Sequence, residues 1–250
     1  MRPLPLLFGE LTHNYFYLGA YWGPRQEGVD ECAGRLARFL RQLEPIDPIL
    51  SSWRRVGRSK AAATPLQHTP KALRPVVESG RNRSGGQVFE HLGFVFSVWN
   101  GDRERSVQLR SSCGSYAAAM LNTVVVSLPD LDTERDISAS LYDPSKLSGV
   151  LEAVADTWDP DWGIVTSSSM REDQSENREQ HIPYVGAMTY LSLARPLPDV
   201  LPEGVSVEQV AGGHLLTIGE DVTAVTSEKA LALRDVLASA GSLYPTLTDD

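Results

Sequence analysis

No stretch of the 250-residue chain approaches the roughly 18–20 apolar residues of a membrane span. Only two cysteines occur, Cys32 and Cys113. That is too few for a disulfide scaffold, and one lies in a helical pattern and the other in a strand-like one, so both read as buried reduced thiols. The five histidines form no HExxH motif and stand at no zinc spacing with the cysteines. Walker A, GxGxxG and GxSxG sequences are all missing, which removes the usual nucleotide-binding and serine-hydrolase signatures. No cofactor is called for. Internal repeats and low-complexity tracts are missing too. The segment Met1–Phe8 has one arginine and a short apolar run broken by proline, with no small-residue cleavage site after it. Residues 1–13 therefore read as a loose arm ahead of a domain over 14–245, and the cytoplasm is the default location.

Positive charge is scarce in the second part of the chain. Residues 1–110 hold 16 Lys and Arg against 10 Asp and Glu, a balance of +6, while residues 111–250 hold 7 against 22, a balance of −15. Phosphate repulsion opposes direct nucleic-acid binding through that acidic half. An acidic surface serves solubility, and it also suits a basic partner. Two acidic clusters fall in expected loops, one with Asp130, Asp132, Glu134 and Asp136, the other with Glu172, Asp173, Glu176 and Glu179. Loops on a rigid scaffold commonly carry recognition, so these eight acids are the candidate partner-binding residues. The competing surface is the aromatic stretch Tyr15–Trp22, taken as an edge that plugs a partner sterically. A homodimer is compatible with the sequence.

Periodicity supplies the rest. Tyr15–Trp22 is rich in β-forming aromatics and reads as the first strand. From Val29 the pattern turns helical, with Val29, Cys32, Ala33, Leu36, Phe39, Leu40 and Leu43 on one face and Arg35, Arg38, Arg41 and Gln42 off it. A short strand over Leu50–Arg55 carries Trp53. Thr69-Pro70 opens a short helix that Gly80 ends. Phe89–Trp99 and Ser106–Cys113 read as strands about the hairpin signal Asn100-Gly101, and Asn122–Leu128 as another. Asp143-Pro144 caps a further helix. Ser167–Gln180 lacks apolar periodicity and reads as an exposed loop. Tyr184–Leu193 is a strand, Val205–Val210 and His214–Ile218 form a hairpin, and Ser227–Ala240 is the last helix, closed by Gly241. Directly successive strands favour α+β, a mainly antiparallel β-sheet with helices packed on it, in a single domain. The prolines at 196, 198 and 202 mark the best alternative boundary.

The densest motif is Trp158-Asp159-Pro160-Asp161-Trp162-Gly163. Leu147, Val150, Leu151, Val154 and Trp158 keep helical spacing, and Pro160 should push Asp159 to an extended conformation and stop the helix. Gly163–Thr166 then starts a strand. Each indole can bury on the order of 200 Å², so the pair reads as an anchor of helix on sheet. Asp159 and Asp161 could hold Mg²⁺ or Mn²⁺, but aspartates are also common at such a turn, and the turn is the favoured reading.

These residues carry a resemblance. Leu18-Gly19-Ala20-Tyr21-Trp22-Gly23-Pro24-Arg25, Glu31-Cys32-Ala33, Trp53 with Gly57-Arg58-Ser59, Gly80-Arg81-Asn82-Arg83, Leu92-Gly93-Phe94 with Trp99-Asn100-Gly101, Cys113-Gly114-Ser115-Tyr116, the Trp158–Gly163 motif and Thr189-Tyr190-Leu191-Ser192 occur in an order that resembles the bacterial immunity protein 52 family. The resemblance spans about residues 15–240. It implies a non-enzymatic antidote that binds a restriction-endonuclease-like toxin of a polymorphic toxin or type VI secretion system. Trp22, Trp99, Trp158, Asp159, Asp161 and Trp162 are then fold-defining motif residues, with no catalytic residue and no metal. The alternatives are a metal-dependent hydrolase using Asp159 and Asp161, and a non-catalytic adaptor.

Overall fold

The computed structural model describes residues 14–57, 65–131, 139–175 and 181–247. Eleven strands appear among them: β1 (Phe16–Trp22), β2 (Arg54–Arg55), β3 (Arg83–Ser84), β4 (Gln87–Val88), β5 (Phe94–Trp99), β6 (Gln108–Cys113), β7 (Asn122–Ser127), β8 (Trp162–Ser167), β9 (Met188–Ser192), β10 (Val205–Val210) and β11 (Gly213–Ile218). The helices are α1 (Val29–Leu43), α2 (Pro70–Ser79), α3 (Pro144–Trp158), α4 (Ser168–Asp173) and α5 (Ser227–Ser239). Nine strands make one sheet in the order β10-β11-β9-β8-β1-β7-β6-β5-β2, every pair antiparallel, and β3-β4 is a separate small hairpin. The fold is α+β with helices on both faces of the sheet.

β1 lies in the middle of the sheet, between β7 and β8. Tyr15–Trp22 is therefore no edge. Its alternation sends Phe16, Leu18, Ala20 and Trp22 into a core with α1, α2 and α3, and Tyr17 into a second core under α4 and α5. The seven apolar positions of α1 are all buried in the first core. Cys32 and Cys113 are both buried and free. The neighbouring Cys32 thiol, together with burial, holds the Cys113 thiol well above its usual range, so it stays protonated.

Three local expectations are revised. The strand expected from Phe89 starts at Phe94 after a 3-10 turn over Glu90–Leu92. Gly93 makes that break with φ +61, where an added Cβ would lie 2.3 Å from the Cys113 carbonyl oxygen. The strand over Leu50–Arg55 is a 3-10 turn, Pro48–Leu50, followed by the two residues of β2, and Trp53 is buried between them with its indole N–H bonded to the Leu50 carbonyl at 2.7 Å. The expected loop over 167–180 contains α4, capped by the Ser167 hydroxyl on the Met170 N–H, with Met170 buried. Six residues are too few for a period to register in sequence. α2 and α3 begin as expected, with Thr69 and Asp143 accepting backbone N–H groups ahead of a proline.

Candidate functional site

The Trp158–Gly163 corner is built around two adjacent residues of β1 that face opposite ways. Trp22 stacks on Trp158 on one face of the sheet, with ring centroids 5.7 Å apart, and Tyr21 stacks on Trp162 on the other at 4.1 Å. Both indoles are buried. The corner therefore locks the end of α3 to one side of the sheet and the start of β8 into the other. Trp99 is buried at the far end of β5, away from this corner.

α3 ends at Trp158, as its spacing predicts, but Asp159 is not extended. It takes a left-handed conformation, φ 48 and ψ 61, with its N–H on the Ala155 carbonyl. Two arginines from elsewhere overcome the pre-proline bias. Arg25 donates to the carbonyls of Trp158 (2.7 Å) and Asp159 (3.4 Å), and Arg35 donates to that of Thr157. Cations at a helix C-terminus satisfy its free carbonyls and complement its dipole. Arg38 and Gln42 also cross from α1 to Asp156 on α3. The basic side of α1 is thus partly an inter-helix contact.

Asp161 meets a residue that local patterning did not single out. The Arg195 guanidinium forks onto both Asp161 carboxylate oxygens, with Nε to Oδ1 at 2.9 Å and Nη2 to Oδ2. It also donates to the Ser242 carbonyl (2.7 Å), the Tyr244 carbonyl (2.9 Å) and the Thr246 hydroxyl (3.1 Å), and lies 4.0 Å from the Tyr244 ring centroid. Thr246 in turn accepts the Trp162 indole N–H at 3.0 Å. The Arg195 side chain is 0% exposed and that of Asp161 20%. Segment 242–247 is thereby clasped over the corner. Asp159 is exposed and Asp161 is committed to Arg195, so the two form no shared carboxylate site; no group of three or more metal-ligating side chains occurs among the described residues. Tyr190 next to the corner has its hydroxyl pushed up to about 12 by burial and by the nearby Asp159 and Asp161 charges.

Of the eight candidate partner-binding acids, Asp130, Glu172 and Asp173 are described and exposed, while Asp132, Glu134, Asp136, Glu176 and Glu179 lie outside the described residues. Glu172 and Asp173 form the last turn of α4. α4 is fixed below them by Gln174, whose buried amide donates to the Val185 carbonyl (2.7 Å) and accepts the Val185 N–H (3.0 Å). Because β1 runs antiparallel to both β7 and β8, the chain leaves both strands at the same end of the sheet. Asp130 and the α4 acids sit at that end, as do Glu203, Glu220 and Asp221, which border β10 and β11 there. The arginines of the first half are largely engaged: Arg35 with Glu27, Arg38 with Asp156, Arg74 with Asp30, Arg81 with Glu78 and Arg105 with Asp102. Glu172, Asp173, Glu203 and Glu220 have no ion pair with another described residue.

The comparisons with known proteins follow the same line. The family model for immunity protein 52 matches residues 14–246, and the chain belongs to that family. No curated protein matches it. Among solved structures it is similar to the Pseudomonas aeruginosa T6SS protein PA0821, with 15% identity and a TM-score of 0.52, over 91% of this chain and 73% of that one. At that identity the likeness concerns the fold. No helix among the described residues is long and apolar enough to cross a membrane.

Proposed function

We propose that this chain is the antidote of a secreted nuclease-type toxin, which it neutralises in the cytoplasm by binding rather than by catalysis. The observation that carries this reading is membership of the immunity protein 52 family over nearly the whole chain. The T6SS neighbour in fold agrees with it. The charge distribution adds a physical reason. A nuclease must offer Lys and Arg to phosphates, and an acidic protein surface competes for those same cations. Exposed acids gathered at one end of a rigid sheet would steer such a toxin, and steered pairs reach association rates of about 10⁸–10⁹ M⁻¹s⁻¹ at low salt. The test is co-expression with a candidate nuclease toxin, sought first among the products of neighbouring genes. Cells should survive only when this chain is present, and the two proteins should elute as one stoichiometric complex. Protection without a complex would point instead to catalytic detoxification.

A further inference from the structure

The two edges of the nine-stranded sheet are unlike. The β2 edge is two residues long, consists of Arg54 and Arg55, and is bridged by Pro65. Short length and positive charge are the usual guards against unwanted strand pairing. The β10 edge is six regular residues, Val-Ser-Val-Glu-Gln-Val, without proline, lysine or bulge. Among the described residues nothing pairs with its outer side.

The phase of that edge follows from the hairpin. Val210 and Gly213 flank the two-residue turn, and the Gly219 N–H bonds the Gly204 carbonyl, so the even-numbered residues of β10 point their backbone groups at β11. Val205, Val207 and Gln209 point outward. The Val205 N–H is taken by the Pro202 carbonyl. The N–H and C=O groups of Val207 and Gln209 are therefore offered to the outside, on a strand whose Val207 is 41% exposed. The connection leading into β10 adds exposed apolar surface at Val200, 77% exposed.

We propose that β10 is a docking edge to which an extended, lysine- or arginine-bearing segment of the toxin adds as a further antiparallel strand. This deepens the antidote reading and rests on it. Charge selects the occupant. Glu208 is exposed in the middle of the strand, with Glu203, Glu220 and Asp221 exposed at its start. Two copies of β10 pairing about a two-fold axis through Val207 would place their Glu208 side chains on one face as diagonal neighbours, about 7–8 Å apart, between chains that each carry −9. A basic strand meets the same carboxylates as partners. Main-chain bonds to Val207 and Gln209 supply affinity, and the acidic side chains supply selectivity.

The discriminating variant is Val207→Pro. It removes an outward N–H and leaves the bonds to β11 intact, so it is a substitution an edge strand tolerates. The probe is a catalytically inactive form of the toxin against which the chain protects in that co-expression test. Val207→Pro should keep the thermal midpoint and weaken the complex by up to about tenfold, the equivalent of the one main-chain bond lost. Glu208→Arg should slow association. In the wild-type complex the Val207 and Gln209 amides should gain protection from hydrogen exchange, a readout independent of either variant. The proposal is overturned if the wild type binds and protects while those amides exchange at the free rate, or while Val207→Pro binds unchanged; the antidote reading then survives alone. It is also overturned if Val207→Pro dissociates a wild-type dimer and leaves toxin affinity intact, since the occupant is then a second copy. If the wild type does not bind the toxin, both readings fall together.

Discussion

Replacing Arg195 by Met tests whether the corner is a structural clasp. The guanidinium makes five hydrogen bonds, two to the Asp161 carboxylate and three to Ser242, Tyr244 and Thr246. Methionine keeps the unbranched, flexible stem and removes every donor. Asp161 then keeps its charge with only the Ser192 hydroxyl, at 3.4 Å, to answer it, and the Ser242 and Tyr244 carbonyls lose the guanidinium. Breaking one side of a buried ion pair costs about 3–5 kcal/mol, and this pair sits at the costly end for arginine, which is wholly enclosed. Asp161 retains some contact with water, so the lower part of that range applies if the carboxylate rehydrates. For a chain of this size the loss corresponds to a fall of roughly 6–20 °C in thermal midpoint. Urea unfolding of the wild type, Arg195→Met, Asp161→Asn and the double variant closes a cycle. The clasp requires the double variant to be much less destabilised than the sum of the singles. A loss below about 1 kcal/mol for Arg195→Met, the level of an exposed ion pair, would refute the reasoning.

Three further outcomes are expected. Trp158→Ala should lower stability by about 3–5 kcal/mol, the cost of emptying a large buried aromatic site, while toxin affinity measured well below the new midpoint stays unchanged. Asp47 is buried, which raises its carboxyl pKa, but Lys146, the Ile49 N–H and Ser140 outweigh burial and hold it below its ordinary value of 3.8; its stabilising contribution is present above that value and lost as pH falls through the lower folded value, so thermal midpoints scanned from pH 6 to acid should fall less steeply below about 4 in Asp47→Asn than in the wild type. Neutralising Glu172 and Asp173 together should slow toxin association and flatten its salt dependence in stopped flow without moving the thermal midpoint, because exposed charges contribute little to the fold.

Local chemistry determined a great deal of this protein. The apolar stripe of α1, the Thr69-Pro70 and Asp143-Pro144 helix starts, the Asn100-Gly101 turn and the hairpin of β10 and β11 each rest on residues close in sequence, where backbone sterics and side-chain period decide the outcome. The antiparallel α+β class follows from strands that succeed one another directly. The order Trp-Asp-Pro-Asp-Trp also marked a helix-to-strand corner correctly. Tertiary structure decided what that corner is for. Asp159 turned left-handed because Arg25 and Arg35, more than a hundred residues earlier, cap the last carbonyls of α3. Asp161 left the class of free carboxylates because Arg195, 34 residues away, reaches it inside the fold. Tyr15–Trp22 reads the same in sequence whether it is an edge or a centre, since its aromatics suit either, and only the pairing of β1 with both β7 and β8 placed it in the middle. The free edge was equally hidden. Val205–Val210 is an ordinary strand in sequence, and which of its sides stays unpaired depends on partners chosen across the whole sheet.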